Sequence, residues 1–310
     1  MKVHKIGLLG GRGYVGQEIL KLLDAHPQIS LTSIYSSSHA GESVEGYSKG
    51  NLVYSSIDLN DLELGEEDAY VLALPNNNAQ QYVEKILAHN PEAILLDLSS
   101  DYRFSDPWQY RVPELSDAIS SAKISNPGCY ATVMQLMLKP LLSKLHGHVN
   151  FFGISGFSGA GASPNARNNQ DSLAGNVLAY SLVDHLHEQE VKRHTYDQIL
   201  FTPHVGEFFR GIHITGNMIL SDPMSSDEAK NIFDTFYDDK PLIKIQSEVP
   251  NLQQARETSY AFIGGFEVDE NIKRLTFCCT IDNLLKGAAT QAVQNLNSAF
   301  GWEDNLGIIK

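Results

Sequence analysis

Lys5-Ile6-Gly7-Leu8-Leu9-Gly10-Gly11-Arg12-Gly13-Tyr14-Val15-Gly16 is the stretch that decides the fold. Its first six residues read as a buried strand, and Gln17 to Leu23 continues as a helix. Between them stands Gly11-x-Gly13-x-x-Gly16, overlapped by Gly10-x-x-Gly13-x-x-Gly16. Glycines at this spacing let backbone approach a pyrophosphate, which then rests on the helix N-terminus. Without a ligand the same residues make a glycine-rich turn. Between a strand and a helix they predict a nucleotide site built from Gly10, Arg12, Gly13, Tyr14, Val15 and Gly16.

The pattern continues outward from that turn. A second strand, Leu31 to Tyr35, ends in Ser36-Ser37-Ser38. A site for NAD usually carries an acidic residue here to hold the ribose 2′-hydroxyl. Three hydroxyls and His39 stand there instead, which favours NADP(H), the alternative being a plain polar turn. Asp68 to Leu74 is strand-like and ends at Pro75; Ala79 to Ala88 reads as a helix; Ala93 to Leu98 is the next strand, followed by Ser99-Ser100-Asp101-Tyr102-Arg103. Strands alternating with helices predict a parallel, doubly wound sheet, with ligands outside the carboxyl ends of its strands. Pro75 and Arg103 fall at such ends. Arg103 is either a surface ion-pairing residue or a bidentate clamp for phosphate or carboxylate.

Ser125-Asn126-Pro127-Gly128-Cys129-Tyr130-Ala131-Thr132 places a cysteine after turn chemistry and before the apolar run Val133 to Leu138. Cys129 then sits in the first turn of a helix, where the dipole favours a thiolate nucleophile. The other reading is a small buried thiol. Beyond it the pattern changes. Val149 to Phe157 reads as a strand, Ser158 to Pro164 as a glycine-rich loop, and Asn165 to Asn176 as polar and irregular. In Tyr180 to Glu190, His185 and His187 lie at i, i+2 among carboxylates, which suits a general acid/base better than a metal set without a third ligand. Ile199–Pro203, Ile212–Met218, Leu242–Val249, Ala261–Val268 and Arg274–Ile281 are strand candidates with few helices between them. They predict a second, α+β domain with a mostly antiparallel sheet. Asp282 to Asn297 reads as a capped helix whose apolar face docks back onto the first domain. The expected division is residues 1–128 plus 284–310 for dinucleotide binding, and 129–283 for catalysis and dimerisation.

The formal net charge of −14 argues against a nucleic-acid partner or an anionic membrane, while leaving room for a small anion at a local positive site. No apolar run reaches membrane-spanning length, and Met1 to Lys5 leads straight into a strand, which reads as no signal peptide. Cys129, Cys278 and Cys279 make no disulfide framework and no zinc spacing, so a reducing, cytoplasmic setting without a metal is expected.

Several of these motifs stand in a familiar order. They are Gly10 to Gly16 with Gln17-Glu18; Asp97-Leu98-Ser99-Ser100-Asp101-Tyr102-Arg103; Ser125 to Thr132; Ser155-Gly156-Phe157-Ser158-Gly159-Ala160-Gly161; and His185-Leu186-His187-Glu188-Gln189-Glu190. Phe201-Thr202-Pro203-His204, Arg210-Gly211-Ile212 and Asp282-Asn283-Leu284-Leu285-Lys286-Gly287-Ala288-Ala289 follow. Over nearly its whole length the chain resembles the N-acetyl-γ-glutamyl-phosphate reductases, relatives of aspartate-semialdehyde dehydrogenase. The resemblance implies a Rossmann-type domain joined to a catalytic domain. It implies NADPH-dependent reduction of N-acetyl-L-glutamyl 5-phosphate to the 5-semialdehyde and phosphate, through a thioester on Cys129, in arginine biosynthesis. It further implies that His185 or His187, with His187 preferred, is the acid/base, and that Arg103, Asn126, Arg210 and Glu190 serve the substrate. Ser36, Ser37, Ser38, Pro75, Ser158, Gly159 and Asn283 are assigned to the cofactor, and a homodimer or homotetramer is expected. Three positions depart from the family pattern: Ser38 stands where an arginine is frequent, Ala162 where bacterial members carry one, and the histidine motif lacks a proline. Reduction of aminoadipyl or aspartyl phosphate is the alternative within the class. A non-catalytic NADP sensor is the alternative outside it, and a retained nucleophile argues against that.

Overall fold

A computed structural model describes residues 2–309. In chain order the elements begin with β1 (His4–Leu9), α1 (Tyr14–Ala25), β2 (Ile29–Ser36), β3 (Ser55–Ser56), β4 (Ala69–Leu72), α2 (Ala79–His89), β5 (Ile94–Asp97), β6 (Gln109–Tyr110) and β7 (Lys123–Ser125). Then come α3 (Cys129–Leu138), β8 (Val149–Gly156), α4 (Gln170–Leu173), β9 (Val177–Ala179), α5 (Leu186–His194), β10 (Ile199–Gly206), β11 (Ile212–Ile219) and α6 (Ser226–Phe236). The last are β12 (Ile243–Gln246), α7 (Leu252–Ala255), β13 (Ala261–Asp269), β14 (Arg274–Ile281) and α8 (Thr290–Ala299). The chain forms two compact units: residues up to Gly128 with those from Ala288 onward, and Cys129–Gly287.

The first unit is a seven-stranded sheet in the order β3-β2-β1-β4-β5-β7-β6, with every neighbouring pair parallel. Parallel pairs need crossover connections, so helices cover both faces. Side chains alternate along β1. Ile6 and Leu8 pack with Ile19, Leu20 and Leu23 of α1 and with Ala292, Val293 and Leu296 of α8. Leu9 points the other way, toward Leu72 and toward Tyr82, Val83 and Ile86 of α2. Each fully buried leucine or isoleucine contributes about 1.5–3 kcal/mol, so the two layers hold the sheet between them. β1 has β2 on one side and β4 on the other, which opens a crevice at the carboxyl ends of the strands. α1 starts at Tyr14 rather than Gln17, because Gly13 already serves as its extended N-cap.

The second unit is a seven-stranded sheet in the order β12-β13-β14-β11-β8-β10-β9. The pairs β13–β14, β14–β11, β11–β8 and β10–β9 are antiparallel, and β12–β13 and β8–β10 are parallel. This is the α+β domain with a mostly antiparallel sheet that the strand cluster predicts. The sequence reading expects few helices here, yet α6 is a full helix. It is nucleated by a capping box in which Ser225 and Glu228 exchange backbone and side-chain hydrogen bonds. The helix expected from Asp282 begins later. Asp282 Oδ1 accepts from the backbone N–H of Leu284 and Leu285, a π-helical turn covers Leu285–Ala289, and α8 starts at Thr290. Among the described residues no helix is long and apolar enough to cross a membrane.

Candidate active site

Within the first unit the glycine turn is fixed by its own backbone. Gly10 has φ +80°, and a side chain there would meet the Ala73 carbonyl oxygen at 2.2 Å. The N–H groups of Gly10 and Gly11 both donate to Tyr35 O. A side chain at Gly16 would meet Gly10 O at 2.4 Å, so α1 packs directly on the turn. Gly13 differs: the nearest atom to a side chain there is Gly10 O, at 3.4 Å, so the space outside the N-cap is open. No acidic residue occupies the first turn of α1, which leaves the positive end of the helix dipole available. The exposed Arg12 adds a cation on the same turn. An open N-cap, an uncompensated dipole and a nearby arginine fit a pyrophosphate.

At the end of β2, Ser36 is buried and its Oγ accepts the Ser38 N–H, while Ser37 and Ser38 are exposed. Ser38 Oγ lies 2.6 Å from His39 Nδ1. Beyond β4, Pro75 leads into a loop in which Asp101 accepts from the N–H groups of Asn77 and Ala79, capping α2 from a distance. Arg103 is buried. Its Nε donates to Asn126 O at 3.0 Å and its Nη2 to Leu98 O at 2.9 Å. Burial pushes the nearby Asp97 carboxyl up to about 6, against hydrogen bonds from Ser99. Asn126 Oδ1 accepts from Asn295 Nδ2 at 3.1 Å, Asn295 Oδ1 accepts from Arg111, and Arg111 pairs with Asp304 at 2.7 Å. Gln291 Nε2 donates to Pro127 O. The turn from Asn126 to Gly128 is therefore held by a polar network reaching Asp304, beyond α8.

In the second unit Cys129 is half-buried and is the first residue of α3, whose remaining nine residues, Tyr130–Leu138, are all buried. The histidines sit on α5. His185 is its N-cap, with Nδ1 accepting the His187 N–H at 3.1 Å. An accepting Nδ1 leaves the ring proton on Nε2. Burial, and then the positive charge of Arg167, push His185 down to about 4, so it is neutral near pH 7. His187 Nε2 lies 3.8 Å from Oε1 of the fully buried Glu190. The rings of His185 and His187 are 4.9 Å apart, and Tyr130 lies edge-on or tilted to both. Tyr130 is anchored by donating to His204 O. The Tyr180 ring stands 5.5 Å from His185, and burial, followed by the nearby Cys129 charge, pushes its hydroxyl up to about 12. Just before His185 the chain turns through left-handed backbone at Ser181 and Asp184, of the kind retained where surrounding structure enforces it.

A second cluster gathers Ser158, Gly159, Arg210 and Asn283. The Asn283 amide accepts from Gly211 N–H at 2.6 Å and donates to Ser158 Oγ at 2.9 Å. A side chain at Gly159 would meet Ser155 Oγ at 3.0 Å. Arg210 forms a bidentate pair with the buried Asp282, at 2.6 and 2.9 Å. Sequence reasoning missed Arg167, which it passes over as part of a polar, irregular segment. Its guanidinium lies 4.8 Å from the centre of the Tyr180 ring. Among the described residues no group of three His, Cys, Asp or Glu side chains could hold a metal ion.

Family models match both units. Residues 5–122 match the semialdehyde dehydrogenase NAD binding domain, and residues 129–283 the semialdehyde dehydrogenase dimerisation domain. A Xanthomonas campestris protein named N-acetyl-gamma-glutamyl-phosphate reductase is 43% identical, covering 96% of this chain and 96% of its own length. This chain belongs to that reductase family. A Xanthomonas axonopodis member is 41% identical over 98% of both chains. A Neurospora crassa relative named Protein arg-6, mitochondrial, is 41% identical over 98% of this chain, which spans only 36% of that relative's length. Among solved structures, aspartate semialdehyde dehydrogenase II of Vibrio cholerae shares the fold, with a TM-score of 0.81 at 14% identity, covering 97% of this chain and 99% of that one. The reductase family and these dehydrogenases thus share a two-unit fold with a parallel nucleotide-binding sheet.

Proposed function

We propose that this chain reduces N-acetyl-L-glutamyl 5-phosphate to N-acetyl-L-glutamate 5-semialdehyde and phosphate, with NADPH as reductant, through a thioester on Cys129. The observation that carries the reading is Cys129 at the start of α3, in the unit that also holds the buried His185 with the half-buried His187 beside it. The helix N-terminus favours the thiolate over the thiol. His187 takes the Cys129 proton, and its orientation rests on Glu190. The thiolate attacks the acyl carbon and the C–O bond to phosphate breaks, leaving the thioester. NADPH, when bound, supplies the hydride that reduces the thioester carbon. His187 gives its proton to the substrate oxygen at that stage, then takes it back as the C–S bond breaks and the thiolate is restored. His185, neutral with its proton on Nε2, serves as a hydrogen-bond donor to the same oxygen rather than as the base.

The turn Gly10–Gly16, with Arg12, holds the pyrophosphate, and Ser36, Ser37 and Ser38 face the 2′-phosphate. Pro75 lines the crevice, and Ser158, Gly159 and Asn283 serve the nicotinamide end. Through the bonds described above Arg103 and Asn126 hold the turn before Cys129; in this reading they also serve the substrate. Arg210, paired with Asp282, supports that cluster. The first unit with residues from Ala288 onward forms the dinucleotide domain, and Cys129–Gly287 the catalytic domain. The outward side chains of the second sheet include the largely exposed Phe152 and Leu200 on neighbouring strands, which suits a dimer formed through that face. Three free cysteines suit a reducing compartment such as the cytoplasm.

The test runs the reaction backward. The protein is given phosphate, NADP and either N-acetylglutamate, aspartate or aminoadipate semialdehyde, and reduced nicotinamide is followed by absorbance. Turnover with the first alone is expected, and Cys129→Ser should abolish it while still binding NADPH. Preference for another aldehyde, or turnover in the serine variant, overturns the reading.

A further inference from the structure

We infer that Arg167 holds an anionic oxygen group of the substrate, its phosphate or its carboxylate, beside the cysteine–histidine cluster. The inference rests on the acyl-phosphate reading above. It starts from the loop that the sequence presents as irregular. That loop is tied to itself by asparagine side chains. Asn168 Oδ1 accepts from Asn165 N–H, and Asn168 Nδ2 donates to the carbonyls of Gly161 and Ser163, each at 2.8 Å. Asn165 Nδ2 donates to Ala160 O and Ser163 O, and Asn165 Oδ1 accepts the Arg167 N–H at 2.9 Å. The backbone of Arg167 is thereby set before any ligand arrives, which lowers the ordering cost of binding.

The side chain is aimed as well as anchored. Its guanidinium carbon is 4.8 Å from the Tyr180 ring centre, and Tyr180 stands 5.5 Å from His185. A guanidinium laid on an aromatic face keeps its edge donors, a fork matched to carboxylate or phosphate oxygens. Arg167 is exposed, and among the described residues no carboxylate pairs with it. Two other candidate cations in this unit are already committed. Arg210 is neutralised by Asp282, and the burial of His185 keeps it neutral near pH 7. The substrate carries a phosphate and a carboxylate, and the chain as a whole is at −14, so a local positive charge is needed where the anion meets Cys129.

Arg167→Gln and Arg167→Lys separate the two anions. In the reverse reaction, KM for phosphate and KM for the semialdehyde are measured independently, with kcat and Tm alongside. Loss of a charge-assisted contact raises a KM by about 10- to 100-fold. In Arg167→Gln, a rise confined to phosphate assigns the leaving group, and a rise confined to the semialdehyde assigns its carboxylate. Tm should be unchanged, since the residue is exposed, and Arg167→Lys should recover part of the loss. Both KM values unchanged in Arg167→Gln, even with a lower kcat, overturn the inference while the acyl-phosphate reading stands. A wild-type protein that turns over no semialdehyde overturns that reading, and this inference with it.

Discussion

The Cβ of Cys129 lies 2.8 Å from the point where a side chain on Gly287 would begin. The backbone N–H of Gly287 is fixed at the same time by Asp282 O, at 2.9 Å. Neither side of the contact has room to give. The Asp282 carboxylate also binds Arg210 and the N–H groups of Glu257, Leu284 and Leu285, so the residue that holds the glycine is itself fixed by four partners.

Gly287→Ala is therefore expected to push on the nucleophile. Overpacking of this kind costs about 1–3 kcal/mol. Tm should fall and kcat should drop by roughly tenfold or more, since misplacing a reacting group by about 1 Å costs up to 100-fold. NADPH affinity, measured by fluorescence titration, should hold. Unchanged Tm and kcat would mean that the turn relaxes freely and that the contact constrains nothing.

The two histidines should separate in kinetics. Removing a general base costs about 10²- to 10⁴-fold, so His187→Asn should fall in that range, and His185→Asn should lose less. Glu190→Gln should lower kcat, because the carboxylate 3.8 Å from His187 is the group that orients its ring. Equal losses in both histidine variants would contradict the division of roles.

Acid stability offers a second handle on His185. Its pKa drops from the ordinary 6.5 to about 4 on folding. Between these values the unfolded chain binds a proton that the folded chain does not. Stability attributable to this residue is thus intact above pH 6.5 and declines as pH falls toward 4, by at most about 1.4 kcal/mol per pH unit. Asp97 acts in the opposite sense, because its raised pKa makes the folded state bind protons first as pH falls toward 4. Comparing urea midpoints of wild type and His185→Asn at pH 7 and pH 5 cancels that term. The wild type should lose more on acidification, and parallel losses would deny His185 its depressed pKa.

Cofactor choice is open to test at the end of β2. Ser37 and Ser38 are exposed there, and no arginine accompanies them. An aspartate at Ser37 would repel a 2′-phosphate and could accept from a 2′-hydroxyl instead. Ser37→Asp should raise KM for NADPH about tenfold or more while NADH gains, consistent with the few kcal/mol of an unfavourable charge pair. A variant with the original preference would remove this end of β2 from the site.

The glycine turn was legible because its constraint is local. Gly10 needs a positive φ, Gly16 needs to touch Gly10, and the spacing records both. The alternation of strands and helices exposed the parallel sheet for the same reason. Cys129 was legible as a helix start, since Pro127-Gly128 breaks the chain just ahead of an apolar run. The rest depends on partners far along the sequence. Arg167 meets Tyr180 across thirteen positions with no period to betray it. The proposed division of roles between the histidines turns on a single hydrogen bond to Nδ1 of His185, which no residue pattern specifies. The α6 helix carries a readable capping box in Ser225 and Glu228, but it stands between strands whose stronger pattern dominates that part of the chain.

The network that ends at Asp304 ties the turn before Cys129 to residues made much later in the chain. Asn126 precedes Cys129 by three positions, yet the amide that binds its side chain belongs to Asn295, 169 residues later. A nascent chain thus carries its cysteine long before it owns the amides that steady the turn in front of it. The turn before the cysteine is thus completed only when α8 has been made and has packed against the first sheet.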